Sequence, residues 1–212
     1  MENLKILELF CGLGGWSKGF HDIFPDAEFY GIDIKDYGYP YNFIKADLND
    51  WEPDQEYDIV LASPPCTEFC QMKRYTGYWH YSERIGLDLI YRTFYLIEKI
   101  KPKFWVLENV WGLADFLPSP REKIRYGFRK GKKEAWLWGN FPELGFFNFQ
   151  TPFKVSWDNF YPPPEEDRAK RGEIPRSLSY HMAKSIKENF NSSSTVDDFS
   201  YLNRQSVEPK IC

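Results

Sequence analysis

An α/β fold, with a mostly parallel sheet and helices on both of its faces, is predicted by three features of the sequence. Apolar runs of strand length alternate with stretches of helical periodicity as far as Val110. Three consecutive runs end in polar groups: a glycine cluster, then an acid, then another acid. Open parallel sheets bind ligands at that edge, outside the carboxyl ends of their strands. The length, 212 residues, suits one domain with a full core.

The elements follow in order. "LKILELF" is a first strand ending at "CGLGG", and "WSKGFHDIF" places aromatics at helical spacing behind it. "AEFYGIDI" and "NFIKAD" read as the second and third strands, ending in Asp33 and Asp47. "YDIVLAS" is the fourth and runs directly into "SPPCTEFC". Ser82 is placed to cap a helix that buries Ile85, Leu89, Ile90, Leu96, Ile97 and Ile100 and stops at Lys101-Pro102. "KFWVLENV" is a fifth strand, "WGLADFLPSP" a loop punctuated by proline, and "EAWLWGNF" a sixth strand. "YPPPEEDRAKRG" reads as an exposed connector. "SLSYHMAKSIKENF" is a last helix with Leu178, Met182, Ile186 and Phe190 inward. Residues 191–212 are polar and aperiodic, a flexible tail. The chain thus reads as one catalytic domain over residues 1–190.

Eight Trp, fourteen Tyr and eighteen Phe are more than a core needs, so some are expected on a surface that handles flat groups. No run reaches the length of a membrane span and the start lacks a signal peptide's pattern, so the expectation is a cytoplasmic protein with no membrane partner. Cysteines at 11, 66, 70 and 212 have neither disulfide-framework nor zinc-ribbon spacing, and no metal is expected. The net charge of −4 speaks against a polyanionic partner, but its distribution does not. From Arg121 to Lys133, the bases Arg121, Lys123, Arg125, Arg129, Lys130, Lys132 and Lys133 face the single acid Glu122. Tyr126, Phe128 and two glycines interleave with them, which suits a mobile loop contacting phosphates.

The strand ends carry the chemistry. Gly12, Gly14 and Gly15 let backbone approach a ligand closely and open a helix, without the Lys-Ser/Thr of a phosphate loop. Asp33 stands where a ribose hydroxyl pair is usually held, and Asp47 where an adenine amino group would lie. Pro64 and Pro65 before Cys66 have two readings: a turn beside an inert thiol, or a rigid mount aiming a nucleophile.

"LELFCGLGGWSKGF", "GIDI", "ADLND", "SPPC" and "LENV", in this order and spacing, resemble the motifs of the cytosine-C5 DNA methyltransferases, above all the compact forms of phages and other viruses. The resemblance implies a Rossmann-like, S-adenosylmethionine-dependent methyltransferase fold. It assigns Phe10, Gly12, Gly14, Gly15, Asp33, Ile34, Asp47, Leu48 and Pro65 to the cofactor. It also implies that Cys66 is the nucleophile and that Glu108 holds the cytosine edge through ring N3. Cytosine C5 is too weak a nucleophile to take a methyl group directly, and thiolate addition at C6 makes it an enamine. The target is then DNA, either single-stranded or a duplex with the base flipped out, and the enzyme is expected to act as a monomer in the cytoplasm, a host's cytoplasm if viral.

Some positions depart from the family pattern. Thr67 stands where the family usually has Gln, and the base-closing loop is replaced by "EFCQMKRYTGYWHYSE". No Gln-x-Arg-x-Arg strand is evident, so Lys132 and Lys133, or Arg129, take over the steadying of base and sugar-phosphate, while Arg121, Lys123, Arg125, Arg129 and Lys130 bind nucleic acid. The last helix lacks the family's usual Asn. A minimal target-recognition segment falls within 111–173. Three other readings stay open: an amino-methyltransferase, whose fourth-strand motif differs from "SPPC" by one residue; a C5 enzyme acting on RNA or nucleotides; and a non-catalytic nucleic-acid-binding protein on the same scaffold.

Overall fold

Lys5–Leu9 forms β1, an inner strand of a seven-stranded sheet, in a computed structural model that describes residues 4–69, 83–126, 133–144 and 173–191. The other strands are β2 (Glu28–Asp33), β3 (Asn42–Lys45), β4 (Ile59–Ala62), β5 (Phe104–Asn109), β6 (Glu122–Tyr126) and β7 (Lys133–Asn140). Among the described residues three α-helices accompany them: α1 (Gly15–His21), α2 (Glu83–Ile100) and α3 (Arg176–Asn189). The order across the sheet is β3-β2-β1-β4-β5-β7-β6. The first five strands pair in parallel, and β7 runs antiparallel to both neighbours. The reversal of strand order between β1 and β4 opens a crevice at their carboxyl ends.

Both faces of the sheet are covered, and the period-2 geometry of a strand divides the apolar residues between them. Ile6, Ile59, Leu61, Phe104 and Val106 pack against Trp16 and Phe20 of α1 and Leu178, Met182 and Ile186 of α3. Leu7, Leu9, Val60, Trp105 and Leu107 pack on the opposite face against Ile90, Leu96 and Ile97 of α2. Helix α2 stops where Lys101 turns left-handed, with φ 53 and its N–H bonded to Ile97 O at 2.8 Å, and Pro102 follows.

The last helix closes the fold over the first. A Cβ on Gly15 would lie 2.6 Å from Ile174 N, and one on Gly19 would collide with the Ser179 side chain. Two ion pairs latch the same contact: Lys18 to Glu173 at 2.8 Å, and Arg176 to Asp22 through Nε at 2.8 Å and Nη2 at 2.6 Å.

Two expectations need correction. "EAWLWGNF" is the seventh strand, because the beginning of the basic stretch is itself a strand, β6. The segment is therefore no loop between Glu122 and Tyr126. The physical reason is its position at the sheet edge. Ile124 turns inward there, while Lys123 and Arg125 stay in solvent, a pattern that also discourages edge-to-edge pairing. Ser82, Cys70, Arg129, Lys130, Lys132, the connector at 161–172 and the tail from 192 lie outside the described residues, as does the side chain of Lys133.

Candidate active site

The carboxyl end of β1 makes an abrupt turn. Phe10 adopts φ 57, a left-handed conformation that costs a non-glycine residue on the order of 1 kcal/mol, and Gly12 (φ 49) and Gly14 (φ 77) follow it. Cys11 between them is buried, and burial pushes its thiol far above the ordinary range, so it packs rather than reacts. The Gly12 N–H donates to Asp33 Oδ2 at 3.0 Å and the Lys35 N–H to Oδ1 at 3.3 Å, which joins the acid at the end of β2 to the glycine turn. Beside it Ile34 is 64% exposed, an aliphatic side chain left in water. A Cβ on Gly12 would meet nothing within 4 Å, so the turn faces open space. A carboxylate for a hydroxyl pair, an apolar face for a flat ring and close-approach backbone fit an adenosine group.

The remaining residues assigned to the cofactor lie around this turn in different settings. Asp47 is exposed two residues past β3 and caps its own turn, accepting the Asn49 N–H at 2.9 Å. Leu48 points into the α2-side core. Gly14 backs onto the Tyr39 ring, 3.1 Å from where its Cβ would be, and Gly15 faces Ile174. Pro65 is exposed.

The proline pair and β5 form one corner. Prolines have no N–H with which to join a sheet, so a loop built on them must be held by other groups. Asn109 supplies that hold: its buried Nδ2 donates to Pro64 O at 3.0 Å, while its Oδ1 accepts the Val110 N–H at 2.9 Å. Cys66 is half-buried, and its carbonyl accepts the Phe69 N–H at 3.0 Å, closing the single 3-10 turn Thr67–Phe69. A second 3-10 turn, Trp111–Asp115, packs on the first so closely that a Cβ on Gly112 would collide with Phe69 O. Glu108 is half-buried one residue before Asn109. The strand that carries the acid therefore grips the loop that carries the thiol.

Sequence reasoning missed what lies beneath. Glu8, 3% exposed, accepts the N–H groups of Trp16 (3.2 Å) and Ser17 (3.0 Å) at the start of α1. The Ser17 hydroxyl also donates to it and lies 2.6 Å from Tyr39 Oη. Burial pushes the Glu8 carboxyl up to about 7, against the opposing pull of Ser17, Trp16 and the charge of Lys18. The signal was available: an acid inside the apolar run "KILEL" is costly to bury unless its oxygens are satisfied.

The described basic residues Arg121, Lys123 and Arg125 lie along the outer edge. Arg121 precedes β6, and its guanidinium lies 5.5 Å from the Phe141 ring centroid. Lys123 sits over the Trp136 ring at 4.3 Å, and Arg125 pairs with Glu134 at 2.7 Å. Trp136 is directly opposite Asn109 in the β5–β7 register, and Tyr126 opposite Lys133. The β6–β7 hairpin thus extends beyond the carboxyl end of β5, on the same side as Glu108. Among the described residues no helix is long and apolar enough to cross a membrane.

A mostly parallel sheet in this order, with a glycine turn after β1 and an acid at the end of β2, is the Rossmann-like methyltransferase fold. The model of the family described as C-5 cytosine-specific DNA methylase matches residues 4–119, and the chain belongs to that family. It is similar to the type II methyltransferase M.BsuFI of Bacillus subtilis, 32% identical over an alignment of 189 residues that covers 75% of this chain and 44% of that one. It also resembles the type II methyltransferase M.NlaIV of Neisseria lactamica, 27% identical over 143 residues, 58% of this chain and 32% of that one. The chain thus spans less than half the length of these curated relatives. Among solved structures, Entamoeba histolytica methyltransferase EhMeth is 15% identical, with a TM-score of 0.47 over 74% of this chain and 58% of its own.

Proposed function

We propose that the chain transfers a methyl group from S-adenosylmethionine to C5 of cytosine in DNA. The observation that carries this reading is the corner at β4 and β5. Asn109, adjacent to Glu108, fixes the carbonyl of Pro64, two residues before Cys66, at 3.0 Å.

Each residue then has a task that its position supports. Asp33, Ile34 and the turn from Phe10 to Gly15 hold the cofactor, which when bound supplies an electrophilic methyl carbon. Cys66 as thiolate adds to cytosine C6, forming an S–C6 bond and moving electron density to C5. A protonated Glu108 donates to ring N3 and draws density from C6, which favours that addition. C5 takes the methyl group, a base removes the C5 proton, and the electrons of that C–H bond restore the ring double bond as the S–C6 bond breaks. The thiolate leaves as it entered.

The target carbon is unreachable inside a duplex, so the base is flipped out or presented in a single strand. Lys123, Arg125 and the hairpin beyond them, with Arg129, Lys130, Lys132 and Lys133, would contact phosphates. Because the 3-10 turn at 111–115 packs on the thiol loop and the sheet uses 122–126 and 133–140, target recognition within 111–173 falls mainly to the segment from 145 onward.

Labelled S-adenosylmethionine incubated with cytosine-containing DNA, followed by nucleoside analysis, tests the reading. The expected product is 5-methylcytosine. N4-methylcytosine or N6-methyladenine would replace the reading with amino-group transfer, and no product with DNA but 5-methylcytosine in RNA would move the substrate. No product from either nucleic acid would point to a binding protein.

A further inference from the structure

Trp16 carries a polar contact that the methyltransfer reading does not use. Its side chain is 0% exposed, packed edge-on against Phe20 in the layer between the sheet and α3. An indole buried this completely has one donor to satisfy, Nε1–H. It donates to Ser63 Oγ at 3.0 Å. Ser63 stands immediately before Pro64, Pro65 and Cys66. Its own N–H reaches Leu9 O at 3.4 Å, the longer of its two ties to the β1–α1 turn.

Trp16 is itself fixed on both sides of its backbone. The N–H donates to Glu8 Oε1 at 3.2 Å, and the carbonyl accepts from the Ser179 hydroxyl of α3. Side chains from α1 and β5 thus both grip the proline-cysteine loop. Asn109 grips it at Pro64 from β5, and Trp16 grips it one residue earlier from the glycine turn. A phenylalanine would fill most of the same volume but could not make the second grip.

We propose that Trp16 is a positioning residue for Cys66: its indole bond to Ser63 ties the turn that holds the cofactor to the loop that aims the thiol. The inference rests on the proposed C5 methyltransfer. Removing the donor leaves the cofactor turn intact, because Glu8 and Ser179 bind the Trp16 backbone rather than its ring. The effect therefore falls on thiol addition and not on cofactor affinity. Small displacements of a reacting group reduce rates steeply, so about a tenfold loss is expected.

Two measurements on the full chain test this. The first is the rate at which DNA containing 5-fluorocytosine is trapped on Cys66 at saturating S-adenosylmethionine. The second is amide hydrogen exchange of the peptide spanning residues 63–69, which does not depend on activity. Trp16→Phe is expected to slow trapping about tenfold, with S-adenosylmethionine affinity within about threefold of the parent, and to accelerate exchange in that peptide. Ser63→Ala should do the same without disturbing the core, which keeps the test valid if Trp16→Phe folds poorly. Ser63→Thr, which retains the hydroxyl, should restore both readouts. The double variant should be no worse than either single one. Trapping at the parent rate in Ser63→Ala, unchanged exchange, or losses that multiply in the double variant would overturn the positioning role while leaving methyltransfer intact. A parent protein that forms no adduct would instead overturn methyltransfer, and the positioning role with it.

Discussion

Glu8→Gln separates the buried carboxyl from everything else that titrates. An unfolded chain releases the Glu8 proton near 4.5, whereas the folded protein keeps it until about 7. Between those values the folded state binds more protons than the unfolded state, so stability falls as pH rises. The contribution is complete below 4.5 and gone above about 7. At about 1.4 kcal/mol per pH unit the whole span is worth about 3 kcal/mol. Gln is isosteric and neutral, and its oxygen can still accept an N–H at the start of α1. The measurement is denaturant unfolding of both proteins between pH 4.5 and 8. The stability of the parent should fall by about 3 kcal/mol relative to Glu8→Gln across that range, because every other titrating group cancels in the difference. Cys11 and Tyr39, the titratable neighbours, stay neutral throughout, since burial holds both above their ordinary ranges. Parallel curves would show that Glu8 ionises as it does in water and that the argument from its burial fails.

Asp33→Ala should weaken S-adenosylmethionine binding strongly in calorimetry, since it removes the carboxylate that Gly12 holds at 3.0 Å; unchanged affinity would end the ribose assignment. Asn109→Ala frees Pro64 O and should lower turnover by about tenfold or more with little change in cofactor affinity, by the same positional argument as above. Nucleic-acid affinity should decline with salt, and replacing Lys123 with Ala together with Lys132 and Lys133 should flatten the slope; a constant slope would make these bases a solvated face. Cys66→Ser should abolish the 5-fluorocytosine adduct that Cys70→Ser retains, because a serine hydroxyl supplies almost no anion at neutral pH, and normal product from Cys66→Ser would exclude a thiol mechanism.

The sheet and its active edge were legible because they depend on local pattern. Apolar runs such as "YDIVLAS" report burial on both faces, the glycine cluster follows directly on the turn that ends β1, and Asp33 is the last residue of β2. Motif order placed Cys66 after the fourth strand and Glu108 at the end of the fifth, and β4 and β5 pair in parallel. Helix α3 was readable from the same kind of pattern, with Leu178, Met182 and Ile186 all inward.

The rest depended on contacts between residues far apart in sequence. β6 could not be told from a basic loop, because so short and charged an edge strand has almost no periodic signal, and its pairing with β7 is what makes it a strand. Nothing local in the sequence shows that α3 and the residues just before it, more than 150 positions away, come to rest on Gly15 and Gly19. The ties of Asn109 to Pro64, Trp16 to Ser63 and Ser17 to Glu8 and Tyr39 join side chains whose spacing carries no periodicity. Sequence alone determined which groups stand at the carboxyl edge, since strand register is set by local hydrophobic pattern. Tertiary structure decided which of them hold one another in place, since a buried polar atom takes whichever partner the packed core brings within reach.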